Sequence, residues 1–118
     1  HGETLRVFGD GTQTRCFCHV SDTVEALVRL QNCPAAPGRI FNVGSTEEIS
    51  IHDLAELVIK TLRSNSNIEL VPYSQAYGPG FEDMHRRKPS VERLAATVDF
   101  RPATPLSEII RLTARAIC

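Results

Sequence analysis

With 118 residues, 42% of them apolar and 23% charged, the chain has a globular composition and room for one core, too little for two ordinary domains. Thirteen basic against fourteen acidic side chains leave a formal charge of −1, which excludes a global positive field that would recruit nucleic acid. Nothing approaches the roughly 18 consecutive apolar residues of a membrane span, and the opening HGETLRVFG has neither the basic nor the apolar region of a secretory signal.

Residues 4–8, TLRVF, alternate polar and apolar as a half-buried strand does. A turn at Gly9–Gly11 follows, then a second strand over Arg15–Val20. Ser21 or Asp22 is suited to cap a helix from Thr23 to about Gln31, with Val24, Leu27, Val28 and Leu30 as its apolar face. Prolines and a glycine make NCPAAPGR (32–39) a loop. RIFNVG (39–44) reads as a compact apolar strand ending at Gly44. Ser50, with Asp53 three residues on, resembles a capping box. The helix it opens, Ile51 to Arg63, sets Leu54, Leu57, Val58, Thr61 and Leu62 at helical spacing.

A polar loop, SNSN (64–67), leads to a strand over Ile68–Val71. From Pro72 to Pro89 the chain carries three prolines, two tyrosines and three consecutive cations with no sustained periodicity. A stretch of this kind is functional or disordered, and its aromatics argue for order. A helix from Ser90 to about Val98, a break at DFRPATP and a last helix over Leu106 to Ile117 complete the pattern ββαβαβ–loop–αα. That is an α/β, or α+β-like, unit of short strands with three to four helices.

Catalytic hardware is scarce. No G-x-S-x-G elbow and no G-x-G-x-x-G after a strand occurs, and GDG is too short for a dinucleotide loop. His19, His52 and His85 are scattered, and His52 reads as a surface residue. Cys16 and Cys18 share one face of a strand while His19 points to the other. CFCH therefore grips no metal well, and the cysteines read as buried, reduced thiols of a cytosolic protein. What the chain does offer is cations and amides at strand and loop ends. Arginines outnumber lysines eleven to two. Arg15 leaves the glycine turn, Asn42 lies ahead of Gly44, and Arg86, Arg87 and Lys88 sit in the irregular stretch. Guanidinium forks and amide donors are the parts that bind phosphate.

Three stretches resemble one family. LRVFGDGTQTRCFCHVSD (5–22) is similar to the segment that follows the Rossmann part of extended short-chain dehydrogenase/reductases acting on nucleotide sugars: aliphatic–Tyr/Phe–Gly-x-Gly–x–Gln–x–Arg–x–aromatic–x–x–Val–x–Asp. RIFNVGSTEEISIHDLAELV (39–58) resembles the family's next Tyr/Phe–Asn–hydrophobic–Gly stretch and helix. HRRKPSVERLAATVDFRPATPLSEII (85–110) resembles its ending: Arg-x-Pro-Asp, a helix, a Gly-Trp-x-Pro-like break and Pro-Leu-x-Glu. Ser90 stands in place of the family's Asp, Cys16 in place of a frequent Asp, and Asp99–Phe100 in place of Gly–Trp, a change expected to alter packing only. The family's catalytic Tyr-x-x-x-Lys has no counterpart, since Tyr73 is followed four residues on by Tyr77.

The resemblance implies one domain over residues 1–118, the C-terminal substrate-binding portion of an NAD-dependent nucleotide-sugar epimerase or dehydratase, and a piece of a longer protein. Arg15 and Arg87 would clasp the diphosphate, Asn42 would donate to a phosphate or nearby ribose oxygen, and Val7 and Phe8 would lie near the base. The Rossmann domain, which supplies NAD and the catalytic Tyr and Lys, would precede His1. No catalytic, cofactor-binding or metal-binding residue is then expected here, and the chain alone is expected to be inactive. The expected partner is a nucleotide sugar, with UDP the favoured nucleotide, and no nucleic acid or membrane. The larger enzyme is expected to be a cytoplasmic homodimer, and this portion alone to be prone to self-association. A UDP-glucuronate decarboxylase is the alternative within the family, and a non-catalytic binding module the alternative outside it.

Overall fold

A computed structural model describes residues 2–77, 80–81 and 83–117. Among them the chain runs β1 (Leu5–Phe8), β2 (Thr14–Cys16), α1 (Val20–Gln31), β3 (Glu48–Ser50), α2 (Ile51–Leu62), β4 (Ile68–Val71), α3 (Tyr73–Ala76), α4 (Glu92–Val98) and α5 (Leu106–Ile117). This is the expected mixture of short strands and helices. The short α3, inside the stretch read as irregular, raises the helix count to five. No described helix is long and apolar enough to cross a membrane.

The chain divides into two compact units, one of His1–Arg15, Ile49–Arg87 and Ile110–Cys118, the other of Cys16–Glu48 and Lys88–Ile109. In the first, β1 and β4 run parallel, pairing Leu5 with Ile68 through to Phe8 with Val71. The ladder is extended at both ends, where Leu5 N–H donates to Asn67 O and Gly9 N–H to Val71 O, each at 2.8 Å. Parallel strands need a crossover connection; α2 lies in it and packs on β1. Val7 and Ala55 are buried there. The Ser50 hydroxyl caps α2 by accepting from Asp53 N–H at 3.0 Å, as its spacing predicts. Arg63 ends the helix in the left-handed region, φ 52°, and its N–H returns to the carbonyls of Ile59 and Lys60.

In the second unit α1 packs against α4. Ala26 and Leu94 are wholly buried and Val91 nearly so. The Arg29 guanidinium lies over the Phe100 ring, 4.8 Å from its centroid, and Asp22 accepts from Thr104 N–H at 3.0 Å. Helix α1 begins at Val20, three residues before the expected start, because His19 is the cap: its Nδ1 accepts from Ser21 N–H at 3.2 Å. The expected apolar face is corrected too. Only Ala26 of α1 is buried, while Val24, Leu27 and Val28 remain exposed; periodicity marks an apolar stripe without saying what covers it.

Two strand expectations also change. Residues 39–44 form no ladder. Arg93 Nη1 donates to Ile40 O at 2.9 Å, so a side chain satisfies a carbonyl that a sheet would otherwise pair, and Asn42 Nδ2 donates to Ser90 O at 3.1 Å. The strand that forms instead is β3, which joins β2 in a second two-stranded sheet. β2 ends at Cys16, where the chain turns toward α1. Cys16, Cys18 and Cys33 are in no disulfide among the described residues and are half-buried rather than buried; Cys118 lies outside the described residues.

Candidate functional site

The site begins with the glycine turn of the first unit. Gly9 and Gly11 adopt φ of +80° and +76°, values open to glycine and strained for other residues. Asp10 closes the turn: its Oδ1 accepts from Thr12 N–H at 2.9 Å and from Thr12 Oγ1 at 2.7 Å. Those bonds, the backbone one first, hold the Asp10 carboxyl below the usual carboxylate range. Behind the turn stands α2. Gln13 O accepts from Ile51 N–H at 3.1 Å and Gly11 O from His52 N–H at 3.0 Å, so two N–H groups that a helix start leaves unpaired are satisfied by the turn.

Arg15 leaves this turn already engaged. Its Nη1 donates to Thr14 O at 2.7 Å and to Met84 O at 2.8 Å. Its Nη2 donates to Asp83 Oδ2 at 2.7 Å, an ion pair whose side chains are 20% and 32% exposed. The same Oδ2 accepts from the Tyr73 hydroxyl at 3.3 Å, and Asp83 Oδ1 accepts from Met84 N–H at 2.8 Å. The segment after Asp83 runs along β2: Thr14 N–H donates to His85 O at 2.8 Å, and Thr14 forms a parallel bridge with Arg86. Asp83 went unseen in the sequence because it lies 68 positions from Arg15, beyond the reach of local spacing.

Beside this network Tyr73, Tyr77, Phe81 and Phe8 form an aromatic cluster. Tyr77 stacks on Phe81 with centroids 4.3 Å apart, and Phe8 meets Tyr77 edge-on at 5.6 Å. Gly9, Asp10, Gln13, Tyr73, Phe81, Asp83 and His85 line a cavity of about 510 Å³. Desolvation, followed by the charge of Asp83, raises the Tyr73 phenol above its ordinary pKa, the direction that disfavours a phenolate at neutral pH. Gln13 is buried; its Nε2 donates to Phe8 O at 2.8 Å, and its Oε1 has no partner among the described residues.

The residues singled out from the sequence fall as follows. Arg15 and Arg87 share the first unit. Arg87 is exposed, and each of the two follows by one residue a partner of the Thr14–Arg86 bridge. Val7, at 3% exposure, serves the core, while its neighbour Phe8 is half-buried in the aromatic cluster. Asn42 belongs to the second unit. There it lines, with Ile40, Ser90 and Arg93, a small cavity of about 230 Å³. Arg93 was not singled out from the sequence, where nothing separates it from the other arginines.

His52, Asp53 and Glu56, half-buried and exposed side chains at the start of α2, bring ligand-type atoms within 4.8 Å of one another; exposed acidic groups meet in this way without holding metal. The glycine turn does not fit a dinucleotide pyrophosphate. A Cβ on Gly9 would lie 2.6 Å from Tyr73 Cε2, and one on Gly11 would lie 3.0 Å from His52 Cβ and 3.1 Å from Val7 Cγ1. The faces that a cofactor backbone would approach are filled by the protein's own side chains. No step through NAD is assigned to these residues.

Residues 1–44 match the model of the NAD dependent epimerase/dehydratase family. The chain is 42% identical over 101 residues to a UDP-N-acetyl-alpha-D-glucosaminuronate decarboxylase of Bacillus cytotoxicus, covering 86% of this chain and 31% of that protein. It is 35% identical over 112 residues to UDP-glucuronic acid decarboxylase 1 of Danio rerio, covering 95% and 25%. The fold is that of a UDP-glucuronic acid 4-epimerase from Bacillus cereus, solved with UDP-glucuronic acid and NAD, at a TM-score of 0.77 and 23% identity over 92% of this chain and 33% of the epimerase. The chain thus spans a third or less of each relative.

Proposed function

We propose that this chain is the C-terminal substrate-binding part of a larger NAD-dependent enzyme acting on a nucleotide sugar, with UDP as the nucleotide. Arg15 and Arg87 grip the diphosphate, Asn42 donates to a phosphate or ribose oxygen, and Val7 and Phe8 border the base. NAD and the catalytic Tyr and Lys belong to a Rossmann domain upstream, in a cytoplasmic homodimer. The observation that carries the reading is the Thr14–Arg86 bridge, after which two cations follow on neighbouring segments of one unit. The role of such a part is orientation: binding at the remote diphosphate positions the reacting carbon against the cofactor.

Within the family, the first reading of the residues is an epimerase or dehydratase, with decarboxylation of a UDP-sugar acid as the alternative. The names of the two curated relatives favour the alternative. A non-catalytic module is the reading outside the family, and an upstream sequence without a Rossmann loop and Tyr-x-x-x-Lys would favour it.

The test is made on the full polypeptide. Arg87→Ala is expected to weaken UDP-sugar binding by about 2 kcal/mol or more and to leave NAD binding unchanged. Equal UDP-sugar affinity in the two proteins removes Arg87 from the site. Release of carbon dioxide from UDP-glucuronate separates decarboxylation from epimerisation, and the 118-residue chain alone is expected to convert nothing.

A further inference from the structure

We infer that Asp83 is a positioning residue for both cations: it fixes the Arg15 guanidinium and fastens to β2 the segment that carries Arg87. This rests on the reading of Arg15 and Arg87 as diphosphate ligands. A guanidinium has five N–H donors. Three are used among the described residues, two on carbonyls and one on Asp83, which leaves the Nε–H and one Nη2–H for a ligand. Their direction is set before binding, which lowers the rotamer freedom lost when an anion arrives.

Asp83 is itself held from behind. Met84 N–H donates to one of its oxygens, and the Tyr73 hydroxyl donates to the oxygen that Arg15 also uses. A carboxylate that merely stood in for a missing phosphate would be held by the guanidinium alone. From Asp83 onward every residue to Arg86 touches β2: Asp83 and Met84 through Arg15, His85 and Arg86 through Thr14. Arg87 comes next, exposed and with no hydrogen-bond or ion-pair partner among the described residues. Its root is therefore placed by the contacts that Asp83 begins.

The experiment measures UDP binding to the full polypeptide by calorimetry, with thermal midpoints recorded alongside, for wild type, Asp83→Ala, Asp83→Asn, Arg15→Ala, Arg87→Ala and the double variant Arg15→Ala/Asp83→Ala. Asp83→Ala is expected to weaken UDP about tenfold. The double variant is expected to bind no more weakly than Arg15→Ala alone, because partners that act through each other are not additive. Asp83→Asn, which keeps an oxygen for Met84 N–H, is expected to fall between wild type and Asp83→Ala, and it carries the comparison if the alanine variant does not fold. Unchanged affinity with a lowered midpoint would mean a purely structural residue, and tighter binding would mean a competing anion; either overturns the inference. If Arg15→Ala and Arg87→Ala weaken UDP binding and the Asp83 variants do not, this inference falls alone. If neither arginine variant weakens it, the diphosphate reading falls as well.

Discussion

The ring of Tyr73 lies against the α-carbon of Gly9, so close that a Cβ there would sit 2.6 Å from Tyr73 Cε2. Gly9 thereby meets two demands at once, a φ of +80° and the absence of a side chain. Gly9→Ala is expected to destabilise the fold by about 2–3 kcal/mol, combining backbone strain with displacement of the ring. Adding Tyr73→Ala to it should remove the steric part, so the two costs will not sum. Urea denaturation of the two single variants and the double variant checks this; simple additivity would show that the ring and the glycine are independent.

Asp99 ends α4 in the left-handed region, φ 46° and ψ 51°, at the position where the family pattern carries glycine. The replacement read from the sequence as a packing change is therefore a backbone matter as well. Asp99→Gly is expected to stabilise by about 0.5–1 kcal/mol, and Asp99→Val to destabilise by at least as much, since a β-branched residue tolerates positive φ poorly. Arg63, at φ 52° on the end of α2, should respond to glycine in the same direction. Thermal midpoints decide it, and a glycine variant that melts earlier contradicts the account.

How much of this was legible in the sequence differs from element to element. β1, α2, β4 and α5 were readable because each carries its own signal: alternation in TLRVF, the Ser50 cap with a helical stripe, a short apolar run, and a pattern bounded by proline. The apolar run at 39–44 misled because it is tied to residues far along the chain by side chains, Arg93 donating to the Ile40 carbonyl and the Asn42 amide donating to Ser90 O. Arg15, Asn42 and Arg87 were named from family motifs. Asp83 and the ring of Tyr73 were not, since their roles appear only when segments far apart in sequence meet. Gln13 stood in the quoted motif, and no spacing argument predicts that it would be buried with its oxygen unpaired among the described residues.

Leu94 carries the core of the second unit. It has no exposed surface and lies on α4, which packs on α1. Leu94→Ala is expected to cost about 2–5 kcal/mol, the transfer of its side chain plus the cavity left behind. Leu27 on α1, predicted from periodicity to be core and found 56% exposed, provides the contrast: Leu27→Ala should change stability by less than about 0.5 kcal/mol. Equal losses in the two variants, measured by denaturant titration, would mean that Leu27 is covered in solution.

Acid and alkali should act on two different residues that line the cavity beside Arg15, Asp10 and Tyr73. Asp10 has its carboxyl held low by Thr12, so the folded state favours the charged form. Its contribution to stability is present above the usual carboxylate range and is lost as pH falls through the depressed value. Tyr73 is the reverse case. Desolvation and the neighbouring Asp83 charge raise its phenol, so the folded state favours the neutral form, and that contribution is full below the ordinary tyrosine pKa and is lost as pH rises through the raised one. Asp10→Asn is therefore expected to narrow its stability gap to wild type on acidification, and Tyr73→Phe to resist alkaline unfolding better than wild type. Denaturation midpoints across the pH range, together with the ultraviolet titration of tyrosinate, report both. Should Tyr73→Phe lose stability in parallel with wild type above neutral pH, the phenol would be titrating as freely as in the unfolded chain, and its burial against Asp83 would not be what raises it.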